Sequence, residues 1–126
     1  MPYETIARKD WAAFVEAFSA QLEGQRVEIE IMGIDLGVQI EAPWLPLRGL
    51  SFEPLAETLH IHLADGHHID HAITSPVELW AEIEGGELRS LAVLDRDEHK
   101  QILRFRSPLQ LPAAIGDRGS EGASPM

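Results

Sequence analysis

The segment 58–74, TLHIHLADGHHIDHAIT, decides the fold, because it contains two alternating strands joined by a turn. Apolar and polar residues alternate with a period of two on both sides of an Asp-Gly pair, which is the pattern of a β-hairpin. A three-residue loop, 65–67, pairs Leu63 with Ile69, whereas a two-residue loop would set apolar residues opposite polar ones. We predict the three-residue loop, since a slip of one residue would turn the apolar set outward.

This hairpin contains five of the six histidines of the chain. The predicted register gathers four candidate metal ligands on its polar face: His60, His62, His68 and Asp70. Neutral imidazole is a common metal ligand, so a divalent transition metal such as Zn, Ni or Cu is one hypothesis for this face. The alternative is a solvated polar surface. We expect no cofactor, and clustered histidines also predict a response to pH near neutrality.

The fifth histidine of the hairpin, His71, is predicted on the apolar face, opposite Ile61. We expect a core or interface histidine whose ring nitrogens bond to the backbone. The alternative is an enzyme that uses His71 with Glu41 or Asp70, although Asp70 points to the opposite face. The sequence contains no nucleophile elbow, Walker A loop or Gly-x-Gly-x-x-Gly motif, so we predict no catalytic residue.

A second hairpin is predicted over residues 77–94, with Gly-Gly at its turn. A two-residue loop pairs Leu79 with Ala92 on one face and leaves a partly apolar second face. An uncovered face of this kind predicts an interaction surface. Its members are Trp80, Leu91 and Val93, with Ile102 beyond them.

The N-terminal part of the chain predicts one helix, about 10–23, whose apolar stripe should pack on the sheet. Strands follow from about 26 to 107, and residues 1–115 are expected to form one globular domain. The tail 116–126 lacks large apolar side chains before its final Met and is expected to be disordered. We therefore predict an α+β fold: an N-terminal helix packed on a curved antiparallel sheet, or on a small partly open β-barrel, of about seven or eight strands.

Composition narrows the function classes. The 126 residues include no Cys and carry a net charge of −11, which disfavours binding to nucleic acid or to an anionic membrane. No signal peptide or membrane span is recognisable, so we expect a cytoplasmic protein. Arg104 and Arg106 share one strand face, and with so much acid nearby we expect them to pair with Glu or Asp.

Several motifs are similar to those of a family of short acidic bacterial proteins known only as a domain of unknown function. The resemblance covers roughly residues 6–112 and implies no activity. It places His71 in a matching motif and leaves the other four hairpin histidines outside one. The matching stretches are Trp11 to Gly24, Asp35 to Gln39, Leu45 to Leu50, His71 to Pro76 and Leu103 to Pro108.

These observations predict a non-enzymatic interaction module that associates with itself, as a homo-oligomer, or with another protein. The first alternative is metal binding, or metal or pH sensing, by the hairpin that runs from His60 to His71. The second alternative is an enzyme that uses His71.

Overall fold

The computed structural model describes residues 3–22, 24–35 and 37–111, with the backbone alone at 41–43. The predicted tail 116–126 lies outside the described residues. One short helix, α1, spans Trp11–Glu16. The strands are β1 Tyr3–Thr5, β2 Arg26–Gly33, β3 Gly37–Glu53, β4 Thr58–Ala64, β5 His68–Thr74, β6 Pro76–Glu84, β7 Glu87–Asp95 and β8 Lys100–Gln110.

The eight strands form one antiparallel sheet in the order β1-β6-β7-β8-β2-β3-β4-β5. Strand β3 has 17 residues; its first part pairs with β2, and its later part, from Leu47, pairs with β4. The end strands β1 and β5 do not pair with each other in the described part of the chain, so the sheet is not closed into a barrel. The antiparallel sheet with an N-terminal helix is confirmed.

The predicted helix 10–23 is wrong in length. Helix α1 has six residues and is flanked by single 3-10 turns at Arg8–Asp10 and Ser19–Gln21. Phe18 leaves helical geometry at φ −95° and ψ 1°, yet its side chain is fully buried. The predicted apolar stripe is therefore buried against the sheet, but the regular helix is shorter than predicted. Tertiary packing outweighs local helix propensity here. None of the helices in the described part has the length and apolar character needed to cross a membrane.

The hairpin of β4 and β5 has the predicted register. Leu63 pairs with Ile69 and His62 with Asp70, and Ala64–His68 is the last pair before the loop. The amide of Asp65 donates to the carbonyl of His67 at 3.0 Å, which closes the three-residue loop. The alternation of apolar and polar residues was therefore sufficient to specify this pairing.

The hairpin of β6 and β7 departs from the predicted register after its first pairs. Ile83 pairs with Leu88 as predicted, but a β-bulge at Arg89 then shifts β7 by one residue, so that Trp80 faces Ala92. Because neighbouring residues of a strand point to opposite faces, the extra residue exchanges the two faces of β7. Leu91 and Val93 are 2% and 3% exposed and lie in the core, so their prediction as interaction surface is wrong.

Candidate functional site

The most connected polar cluster lies on the outer side of the β3–β4–β5 segment and centres on His60. His60 Nδ1 lies 3.1 and 3.0 Å from the two carboxylate oxygens of Asp70 on β5, and its Nε2 lies 2.5 Å from Glu53 Oε1 on β3. The pairing places both carboxylates diagonally across from His60, one on each neighbouring strand. Both ring nitrogens therefore face an acceptor.

These contacts raise the pKa of His60 above its ordinary value of 6.5. The hydrogen bond to Glu53 is the largest cause, and the hydrogen bond and charge of Asp70 act in the same direction. Partial burial opposes them, because removal of water disfavours the charged ring. The cluster therefore holds a proton on His60 more firmly than an isolated histidine would.

Three histidine rings stack beside these carboxylates and form what we call the histidine ladder: His60, His62 and His68. The ring centroids of His60 and His62 are 5.7 Å apart with planes at 6°, and those of His62 and His68 are 5.3 Å apart at 30°. The sequence predicted that His60, His62, His68 and Asp70 share a face, and the structure brings them together. The sequence analysis did not identify Glu53 as part of this cluster, because it did not assign the pairing of β3 with β4. The only signal was the alternation of Leu-Ser-Phe-Glu at 50–53, which is typical of a strand.

Metal binding by the ladder stays a prediction. Within the described ranges, no group of three or more His, Asp or Glu side chains is placed to hold one ion. Both nitrogens of His60 are already engaged by carboxylates, and His62 Nδ1 is buried at 3.9 Å from Asp70 Oδ1. The arrangement favours hydrogen bonding over coordination, because a metal would have to displace the proton-mediated contacts.

His71 lies on the inner face of β5, as predicted, and reaches a different part of the sheet. Its Nε2 donates to Oε1 of Gln101 on β8 at 2.7 Å, and Gln101 is only 9% exposed. The predicted backbone partner is wrong for Nε2, because a side chain on the facing strand supplies the acceptor. The bond shows that the sheet folds over until β5 meets β8. Asp70 lies on the opposite face, and the side chain of Glu41 is outside the described residues.

The second candidate region is the outer face, defined by a row of side chains that crosses five strands on the side away from the core. Direct pairing places Trp80, Ala92, Ile102, Glu30 and Ile40 in this row. Trp80 and Ile102 therefore point outward as predicted, and both are half-buried by their neighbours.

Exposed apolar side chains border this row at both ends. Tyr3 at one end is 47% exposed and Val38 at the other is 63% exposed, and Ile40 within the row is 49% exposed. Tyr3 and Trp80 line a shallow cavity of about 250 Å³ together with Lys100, whose Nζ lies 5.6 Å from the Trp80 ring centroid. These exposed and half-buried apolar side chains make the outer face a candidate interaction surface.

Charges on the outer face are arranged by strand. Alternation on β8 points Lys100, Arg104 and Arg106 outward, and the neighbouring strand β2 presents Glu28 and Glu30. Arg104 Nη1 lies 2.6 Å from Glu30 Oε1 and 3.7 Å from Glu28 Oε1, so the predicted pairing of Arg104 with glutamate is confirmed. A basic stripe and an acidic stripe therefore run side by side.

His99, the one histidine outside the hairpin, joins two turns that sequence reasoning did not connect. Its Nε2 lies 3.0 Å from Asp35 Oδ1 beyond β2, and its Nδ1 lies 3.7 Å from Asp95 Oδ2 at the end of β7. A Cβ at Gly33 would lie 2.6 Å from the His99 ring, so a larger residue there would require the ring to shift. His99 and Asp35 are 64 residues apart in the chain, so no local sequence pattern predicted their contact.

Comparisons with known proteins place the chain in a family. A family model described as "Family of unknown function (DUF5335)" matches residues 3–114. An "Uncharacterized protein" of Aquifex aeolicus (strain VF5) is 30% identical over 112 residues, which is 89% of this chain and 99% of the relative. No significant match was found among solved structures. The chain therefore belongs to the family of unknown function DUF5335.

Proposed function

We propose that the protein is a non-enzymatic interaction module that associates with a second copy of itself through the outer face. The observation that carries this proposal is the row that includes Trp80, Ile102 and Ile40, which no other element of the described chain covers. Removal of such side chains from water is favourable in proportion to the apolar area that becomes buried.

The charge pattern favours a second copy over an unrelated partner. The chain carries a net charge of −11, so two copies repel each other over most of their surfaces. On the outer face, however, the basic stripe of Lys100, Arg104 and Arg106 lies beside the acidic Glu28 and Glu30. A two-fold axis that runs along the strands, between the two stripes, brings the basic stripe of one copy onto the acidic stripe of the other in an isologous interface.

Sedimentation velocity over a range of concentrations tests the proposal. The wild-type protein is expected to form a dimer by high micromolar concentration. Ile40→Glu should shift the equilibrium to the monomer, because it introduces a charge into the proposed apolar contact. Leu55→Glu is the matched control, since Leu55 is 102% exposed in the turn between β3 and β4 and lies outside the outer face.

Two results would overturn self-association at this face. One is a wild-type protein that sediments as a monomer at high micromolar concentration. The other is a dimer that Ile40→Glu weakens no more than Leu55→Glu does. A dimer lost only in Ile40→Glu, and weakened by added salt, would support the proposal, because exposed charge pairs are screened by ions.

A further inference from the structure

A cleft separate from both regions lies where the N-terminal helical segment meets the end of β3. Its volume is about 460 Å³, which is within the range of small-molecule sites. Ala12, Phe52 and Pro54 line it with apolar surface, and Arg8 and Lys9 line it with two positive charges. A cleft that combines an apolar wall with adjacent cations suits a ligand that has an apolar part and a negative charge.

The guanidinium of Arg8 is held in place by two aromatic rings. Its central carbon lies 5.1 Å from the Trp11 ring centroid and 5.6 Å from that of Phe52. These rings contact each other edge to face at 5.2 Å, and Trp11 Nε1 donates to the carbonyl of Ile6 at 2.8 Å. Because the rings are fixed, the guanidinium is positioned before any ligand arrives, which lowers the entropic cost of binding.

Both cations have donors left for a ligand. Arg8 makes only a long hydrogen bond to the carbonyl of Pro76, at 3.4 Å, and a 3.9 Å ion pair with Glu57. Glu57 is shared with Arg96, whose Nη2 lies 3.7 Å from it. Lys9 is exposed and makes no ion pair with another described residue. Arg8 and Arg96 therefore share one carboxylate, and Lys9 adds a further positive charge to the lining of the cleft.

We propose that this cleft binds a small organic carboxylate, with the carboxylate between Arg8 and Lys9 and an apolar body against Ala12, Phe52 and Pro54. Arginine binds carboxylates through two parallel hydrogen bonds, and lysine adds a mobile charge. A singly charged ligand fits better than a phosphate dianion, because the Glu57 carboxylate lies nearby and repels a second negative charge. None of the cleft residues belongs to the outer face, so the inference is independent of self-association.

Titration of ¹⁵N-labelled protein with phenylacetate, followed by two-dimensional NMR, tests the site. The amides of residues 8–12 and the Trp11 indole N–H should shift and saturate at millimolar ligand, as expected for a small compound. Phenylacetamide has the same shape without the charge and should bind at least about tenfold more weakly. Inorganic phosphate has charge without an apolar body and should also bind at least about tenfold more weakly.

Variants separate the two halves of the site. Lys9→Gln should weaken phenylacetate about three- to tenfold, and Ala12→Leu should weaken it by filling the cleft while both cations remain. Arg48→Gln is the matched control, because Arg48 is an exposed cation that does not line this cleft. The spectrum of each free variant reports whether it is folded.

Three outcomes would overturn the proposal: no saturable shift near the cleft up to about 10 mM phenylacetate, equal binding of phenylacetamide or phosphate, or an equal effect of Arg48→Gln and Lys9→Gln.

Discussion

Replacement of Leu91 by Ala tests the β-bulge at Arg89, on which the identity of the outer face depends. Leu91 is 2% exposed, so the change removes a nearly complete buried side chain and leaves a cavity. Loss of the apolar transfer energy and incomplete collapse of the cavity together predict a loss of about 3–4 kcal/mol in the free energy of unfolding. Ile40→Ala is the comparison, since Ile40 is 49% exposed and should cost below about 1 kcal/mol.

Urea denaturation followed by tryptophan fluorescence measures both values. The protein is kept at low micromolar concentration, so that dissociation of a dimer does not contribute to the free energy. The midpoint should fall strongly for Leu91→Ala with an unchanged slope, and the melting temperature should fall on the order of 10 °C. A loss below about 1 kcal/mol for Leu91→Ala would refute the reasoning, because it would place this side chain outward, as the unbulged register does.

Two further predictions concern the histidine ladder. Because the pKa of His60 is raised in the folded protein, the stabilisation by its contact with Glu53 is fully present below pH 6.5 and is lost as the pH rises through the folded pKa of His60. Glu53→Gln should therefore lower the free energy of unfolding near pH 5.5–6, by less than about 1 kcal/mol for such an exposed pair, and should have little effect by pH 9. The control is Glu4→Gln, which changes an exposed glutamate and should show no such pH trend. An equal loss of stability in Glu53→Gln at both pH values would contradict the role given to His60. The second prediction is that calorimetric titration with Zn²⁺ or Ni²⁺ gives no dissociation constant below about 100 µM, since both His60 nitrogens face carboxylates. A submicromolar site that is lost in the His60→Ala/His62→Ala variant would establish metal binding instead.

The register of one hairpin was predicted correctly and that of the other was not, and the residues of the two hairpins explain the difference. In the β4–β5 hairpin, apolar and polar residues alternate clearly enough that one register pairs Leu59 with Ile73 and Leu63 with Ile69 on the inner face, with His71 as the only polar residue of β5 between them. In the β6–β7 hairpin, Leu91, Ala92, Val93 and Leu94 are all apolar, so either face of β7 satisfies the pattern. The bulge at Arg89 decides between them, and a bulge depends on packing with β6 and β8 rather than on local residues.

The candidate sites divide in the same way. The sequence placed His60 and Asp70 on one face, because residues of one hairpin are related by strand period and loop length alone. Glu53 beside His60, Gln101 beside His71 and the meeting of Arg8 with Phe52 involve segments on separate elements, and sequence reasoning found none of them.

By itself the sequence determined the acidic charge, the antiparallel hairpins, the buried N-terminal stripe and the polar face that carries the histidines. These properties follow from composition and from periodicities that local backbone geometry imposes. Only the tertiary structure decided which face of β7 enters the core, how far α1 extends, and which residues surround His60, His71 and Arg8. These outcomes depend on packing between elements distant in the chain, where burial of apolar area outweighs local preference.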